Sequence, residues 1–467
     1  MITGIVQSQM MWSGEIAPQN LSFSKVSDTS YFNLLAENLK EVDENFASDS
    51  GQVSVTHFQN AATPSFGTNE YIISTTSSSA QGTLVYFNAH EWAMPQNWIE
   101  CDVENTDASA SGYDVVAIGF IKSESDYVVG AYDRLNNEIR CEVRVGGGAV
   151  DFYSAITPSP SIGSSFTIGL SLVDNFLCVF VDSGSGWEHV TDANIGASID
   201  MRNPANMAGF YPGFFISDGS GGTTEWRFSN FKYGRHGGVG IRDQTLVTQV
   251  DGTPYRPTAD TVMFTATIPD AAGFASLGVF TIDLSDYSYS LDAVLVFERS
   301  GYYYCDLNAH IIYYPNGDRR VVFATWATRD AALEIHHVLE TTDDLLDGSY
   351  VVTGSAALAL PTASTGTEGE YDPILHYNSN ESRWEIAYSI TERIDFAGSP
   401  FYAAAAQSSD LVTWTAIGDD DSNHGYEGTK ILAAKGRIYI LAGGATSVRV
   451  YDESMNYLGS PTAVLEG

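Results

Sequence analysis

Beyond Gly238 the chain repeats itself, and no other feature narrows its fold as far. Three hairpins superpose. Ile311–Tyr314 turns through Pro315-Asn316-Gly317-Asp318 into Val321–Trp326, Ile374–Tyr377 through Asn378–Ser382 into Trp384–Ser389, and Lys430–Ala433 through Lys435-Gly436 into Ile438–Ala442. Thr261–Thr267 with Leu277–Leu284 is a looser first copy, and each copy is trailed by a Ser/Thr/Asp-rich turn and a further strand, as in Ser408-Ser409-Asp410-Leu411-Val412-Thr413-Trp414. A small sheet of this kind cannot bury both faces alone, so copies must stack around a common axis as propeller blades. Four copies between Gly238 and the end of the chain predict a four- or five-bladed β-propeller over residues 237–467.

Upstream, from Gln52 to Tyr233, short alternating segments follow one another: Asn97–Glu104, Tyr113–Lys122, Tyr127–Arg134, Glu138–Val145, Phe166–Val173, Phe176–Val181, Gly209–Ser217 and Glu225–Tyr233. Period-two alternation broken by turn residues such as Leu135-Asn136-Asn137 and Asp174-Asn175 predicts an antiparallel β-sandwich. The last segment, Glu225-Trp226-Arg227-Phe228-Ser229-Asn230-Phe231-Lys232-Tyr233, resembles the closing strand of concanavalin-like, laminin-G-type jelly rolls. That resemblance implies a lectin-like domain over residues 51–236, with Gly234-Arg235-His236-Gly237-Gly238 as the linker after it. In front, residues 1–50 read as an anchoring segment with one helix. Ser27 or Asp28 serves as its cap, and Phe32, Leu35, Leu39, Val42 and Phe46 recur at helical spacing. The expected fold is therefore all-β: a short N-terminal helix, a jelly roll, then a propeller.

The 467 residues carry 58 acidic and 22 basic side chains, a formal net charge of −36. Such a surface repels phosphate backbones and anionic headgroups, which argues against nucleic-acid binding and membrane attachment. It suits high salt, hence a marine or halophilic setting. No apolar run is long enough for a bilayer span, and Met1–Asn20 shows no secretory n- and h-region. An extracellular composition without an export signal fits a virion protein released on lysis; non-classical export fits as well. Cys101, Cys141, Cys178 and Cys305 sit in apolar strand positions or lack metal-type spacing, so buried free thiols are expected rather than disulfides or zinc.

One carboxylate stands just before the expected inner strand of each repeat: Asp260, Asp306, Asp372 and Glu427. Inner strands line a propeller's central funnel, so the four are expected at one mouth, and paired carboxyls there suit glycosidic bond chemistry. Tyr371-Asp372-Pro373, Ser409-Asp410-Leu411 with Trp414, and Tyr426-Glu427-Gly428-Thr429-Lys430 resemble the propeller glycosidases of glycoside hydrolase family 43. That resemblance implies Asp260 as base, Asp372 as pKa modulator and Glu427 as acid, with inversion at the sugar. It departs at Asp260, which lacks a following proline, and in placing the jelly roll first. Asp306, His310, His376 and Trp414 are the expected substrate-binding residues. No metal and no cofactor is required, and Asp419-Asp420-Asp421 reads as a solvated loop with a structural calcium as the alternative. Three functions stay open: a virion fibre, turret or spike protein that recognises cell-surface glycan with or without cleaving it, a secreted inverting glycosidase with a binding module, and a purely structural virion protein. Carbohydrate, other virion proteins and further copies of the chain are the expected partners.

Overall fold

The computed structural model describes residues 34–48, 50–57, 63–75, 81–105, 114–158, 162–218, 224–326, 333–361, 369–392, 401–434, 437–444 and 447–460. Strand is their predominant structure, and the one helix described is the single turn Pro204–Met207, capped by Asn203. Two domain architectures follow in order, a jelly-roll sandwich and a four-bladed propeller.

The sandwich packs an eight-stranded sheet on a seven-stranded one. Alternation in the strands sends Ile99, Cys101 and Val103 from one sheet toward Ile118, Phe120, Val128 and Cys141 from the other, all 1% exposed or less. All four cysteines are free and buried. The strand Thr224–His236 lies centrally, paired on one side with Gln96–Asn105 and on the other with Tyr71–Thr75 and Leu35–Glu44.

Two expectations fail here. Leu35–Glu44 is a strand, not helix; the expected cap and Phe32 lie outside the described residues. Its pairing partners run Leu35 to His236, Lys40 to Gly234 and Val42 to Tyr233, so extra residues bulge out twice. Each bulge shifts the two-residue alternation, and Leu35, Val42 and Phe46 reach the core at intervals that imitate a helix. Nor is Gly234-Arg235-His236 an exposed linker. It continues the closing strand, with Arg235 4% and His236 0% exposed. Gly234 is required there, because a Cβ would stand 2.7 Å from the Leu39 carbonyl oxygen, and glycine is the residue that lets another backbone come so close.

The propeller has four sheets among the described residues. Blade one orders Arg242–Leu246, Thr261–Pro269, Ala275–Asp283, Tyr289–Arg299 and Tyr302–Tyr304. Blade two orders Thr248–Gln249, Leu307–Tyr313, Arg319–Ala324, Ile335–Thr341 and Ala356–Ala357. Blade three runs Gly369–Asn378, Arg383–Thr391, Phe401–Ser408, Thr415–Asp419, and blade four runs Tyr426–Ala434, Arg437–Gly444, Val448–Asp452, Tyr457–Gly459. Apolar clusters fill the gaps between successive blades. Blades one and two are also laced together: Gly348–Val352, which lies between the last two strands of blade two, crosses over to pair in parallel with Tyr289–Arg299.

The sandwich is docked on blade one, and on the strand Gly348–Val352 that joins its sheet, through a buried seam. Gln96 donates to the His236 carbonyl and to Ser276, Arg235 donates to Ser349, and Phe176 stacks on Phe274. Two buried carboxyls sit in this seam. Asp174 accepts from the Cys305 N–H at 2.9 Å, and Asp270 faces the Cys178 thiol at 3.7 Å while accepting from the Phe274 N–H at 2.8 Å. Burial pushes each up to about 7. The charge of Asp306 adds to this at Asp174, where Arg202 opposes it, and Asp192 adds to it at Asp270. Both folded values lie above the unfolded one, so the stability these groups lend is complete below about pH 4 and is lost as pH rises through 7. Asp174→Asn with Asp270→Asn should therefore flatten the decline in melting temperature between pH 5 and pH 8 by at least about 3 °C. Calorimetric scans of both proteins across that range check it, and parallel declines would refute it.

Candidate functional site

The same register slip occurs at the inner side of every blade, in the innermost strand of blades one, three and four and in Leu307–Tyr313, beside the short Thr248–Gln249, in blade two. Arg242 and Thr245 pair with Thr267 and Thr265, Leu307 and His310 with Ala324 and Val322, Tyr371 and Ile374 with Ser389 and Ala387, Glu427 and Lys430 with Gly443 and Leu441. In each case two residues oppose one: Asp243-Gln244, Asn308-Ala309, Asp372-Pro373 and Gly428-Thr429. The first of each pair has a left-handed φ, 56°, 54°, 52° and 64° in turn. Asp, Asn and Gly are the residues that tolerate this conformation, and Pro373, which has no N–H, fits the unpaired place beside it. The bulges fall at the start of strands that occupy equivalent places in their blades, so the four share one level at one end of the propeller, its mouth.

Polar side chains link these bulges from blade to blade. Thr267 of blade one donates to Asn308 Oδ1 at 3.2 Å, and Asn308 Nδ2 donates to Asp372 Oδ1. Asp372 Oδ2 accepts from the Gly428 N–H and the Asp372 carbonyl from Thr429 Oγ1, both at 2.9 Å. Lys430 Nζ closes the circuit by donating to Thr245 Oγ1 of blade one at 2.9 Å. Glu427 joins it sideways, accepting from the Tyr371 hydroxyl at 2.8 Å.

Three carboxylates therefore act on one another here. Asp372 is 9% exposed, and burial pushes it up to about 7, helped by the charges of Asp243 and Glu427 and opposed by Lys430 and the Gly428 N–H. Glu427 is also raised, by burial and then by Asp243, against the Tyr371 hydrogen bond and Arg242. Lys430 is held below its usual value by loss of hydration, although Asp372 and Asp243 favour its charge. Asp243 stands at the rim, with its side chain 46% exposed and 3.3 Å from Arg242. The arrangement offers a carboxyl that keeps its proton toward neutrality beside an exposed carboxylate, the complement needed for general acid–base work.

Asp372 and Glu427 come together here, but Asp260 does not join them. It lies in the exposed turn before Thr261–Pro269, where its carbonyl accepts from the Leu284 N–H. That strand is not innermost in blade one. Arg242–Leu246 lies inside it and runs antiparallel, which puts the mouth at Thr267, toward the far end of the strand from Asp260. At the rise of an extended chain the two are separated by roughly 20 Å. Asp243, at the bulge of Arg242–Leu246, is the blade-one carboxylate at the mouth, where Asp260 was expected. Asp306 is also off the mouth: fully buried, it is held by Arg299 at 2.7 and 3.0 Å near the sandwich seam. His310 lies under the ring, where Nδ1 accepts from the Leu375 N–H at 3.1 Å and Nε2 faces Thr248 Oγ1 at 3.0 Å. Burial, with Lys430 and His376, takes it down to about 3, so it is a neutral brace between blades. His376 is buried against Gly252, whose Cβ, if present, would meet its ring at 2.7 Å. Trp414 packs in the core between blades two and three with Trp384 and Leu411.

Asp243 and Asn308 went unrecognised in the sequence, and Tyr371 and Lys430 were read only as parts of the motifs around Asp372 and Glu427. The signal for Asp243 was Arg242-Asp243-Gln244-Thr245 aligned with Tyr371-Asp372-Pro373-Ile374, a match visible only once the inserted inner strand is known. In the Asp419–Asp421 loop, Asp420 is taken by Arg449 at 2.9 Å and Tyr451 at 2.6 Å. Asp421 with Glu392 and His424 brings three ligand atoms within 4.8 Å, a set that could hold a divalent cation at the surface.

Replacing Tyr371 by Phe removes the donor that favours ionised Glu427, so the Glu427 titration should move up by about half a unit or more. Carboxyl ¹³C NMR of selectively labelled protein reads this, and an unmoved midpoint would refute the contact.

No family model and no curated protein matches the chain. Solved structures similar to part of it include the exoplasmic/lumenal domain of VIP36 in a Ca²⁺/Man3GlcNAc-bound form, at 9% identity over 44% of this chain and 90% of that one, TM-score 0.33. The carbohydrate recognition domain of Emp47p matches at 11% identity over 45% and 99%, TM-score 0.32. Carbohydrate-binding module CBM66 from Bacillus subtilis matches at 11% over 38% and 94%, TM-score 0.28.

Proposed function

We propose that this protein engages carbohydrate at the propeller mouth and hydrolyses it with inversion. The observation that carries the reading is the meeting of Asp243, Asp372 and Glu427, from blades one, three and four, around one hydrogen-bonded ring in which Asp372 and Glu427 are raised, each in part by the charge of Asp243. Glu427, raised above the usual carboxylate range by burial and positioned by the Tyr371 hydroxyl, donates to the leaving glycosidic oxygen. Asp243, exposed at the rim, takes the proton of the attacking water from the other side of the sugar. Asp372, fixed between Asn308 and the Gly428 N–H, holds together the ring beside which Glu427 stands. Inversion asks for roughly 6.5–9.5 Å between the acid and base carboxyls, enough to admit that water.

The setting we propose is a virion surface or another extracellular one, where the chain acts among other virion proteins or copies of itself. The charge of −36 supports it. On that reading recognition of a surface glycan is the primary role, and cleavage releases the particle.

A reducing-sugar assay on arabinan- and xylan-type polymers, run beside a glycan array, tests the site. Glu427→Gln and Asp243→Asn should each lower product release at least about 100-fold while leaving array binding in place. Asp260→Asn should leave both unchanged. Loss of activity in Asp260→Asn with full activity in Asp243→Asn would overturn the assignment. Binding without product in the wild type would reduce the function to recognition.

A further inference from the structure

Tyr371 does more than reach Glu427. It is the buried member of an aromatic group that spans blades two and three. Trp326 meets its ring edge to face, with centroids 5.6 Å apart at 79°, and Phe401 packs against the same cluster. Register puts all three at the mouth. Ala324, two residues before Trp326, pairs with Leu307 at the start of the inner strand of blade two, and Phe401 pairs with Thr391, which pairs with Gly369. Burial separates them into two kinds. Tyr371, Ala324 and Leu333 are 1%, 0% and 3% exposed, whereas Trp326 and Phe401 keep part of their surface in water.

A core has no use for partly wet aromatics beside a carboxyl cluster, but a sugar site does. Hydroxyls need the carboxylates and hydrogen-bond donors, while the C–H face of the ring needs a flat apolar surface. We propose that Trp326 and Phe401 form the stacking subsite for the sugar unit adjoining the one held at Glu427, making the substrate an oligosaccharide or polymer rather than a single sugar. This rests on the mouth being a carbohydrate site. A chain of sugars would run from the acid cluster of blades one and four across Tyr371 toward the edge of blades two and three.

Calorimetric titration of the full chain carrying Glu427→Gln, which prevents turnover, with arabinohexaose and xylohexaose tests it. Adding Trp326→Ala should weaken binding of whichever hexaose is bound by about tenfold, and Trp326→Phe should restore most of it. Trp326→Leu keeps apolar bulk without the aromatic face, and it should lose affinity like Trp326→Ala while melting like the parent. Unchanged binding in Trp326→Leu overturns the subsite but leaves the carbohydrate reading standing. So does loss of binding in Phe152→Ala alone, at a 57% exposed aromatic on the sandwich. If the parent binds neither hexaose, nor any glycan on the array, both readings fall.

Discussion

A two-for-one bulge in each inner strand is the constraint on which the site depends. In an unbroken ladder, neighbouring residues point alternately to the two faces of a blade, and neither faces the axis. The bulge gives one residue a left-handed φ and frees its polar groups from the ladder, so it can bond across to the next blade. Asn308 to Asp372, and Asp372 to Gly428 and Thr429, are such bonds. The same backbone feature thus closes the blades around the axis and delivers the carboxylates to it.

The cost of gathering like charges in a half-dry space is met by the same ring. Asp372 accepts from an amide side chain and a backbone N–H, Lys430 lies close enough to favour its ionised form, and Glu427 has a phenol at 2.8 Å. What these partners do not offset emerges as raised pKa values, and that remainder is the useful part chemically. The seam between sandwich and propeller follows the same physics without the chemistry. There burial raises Asp174 and Asp270, against the N–H groups of Cys305 and Phe274 that favour their ionised forms.

The sequence carried much of this openly. Hairpins such as Ile374–Tyr377 with Trp384–Ser389 announced the blades, because alternation and turn residues are local properties. Asp372 and Glu427 were legible for the same reason: each sits at the start of a strand that is innermost in its own repeat. Asp243 was hidden because the first blade borrows an inner strand from the segment before its own hairpin, and only pairing shows which strand lies nearest the axis. Asp306 was misplaced because strand position does not tell which way a side chain turns, and Arg299, close before it in the chain, claims it. The stretch around Leu35 misled through its bulges, which turned an alternating strand into a helical spacing.

The central claim is that Asp243 and Glu427, at opposite ends of the propeller sequence, share one site. Titrating the Glu427 carboxyl by ¹³C NMR in the wild type and in Asp243→Asn tests it most directly. If the two share the mouth, removing the Asp243 charge lowers the Glu427 midpoint by about half a unit or more. An identical midpoint in the two proteins would mean that blades one and four do not bring these groups together, and the functional reading would fail with that geometry.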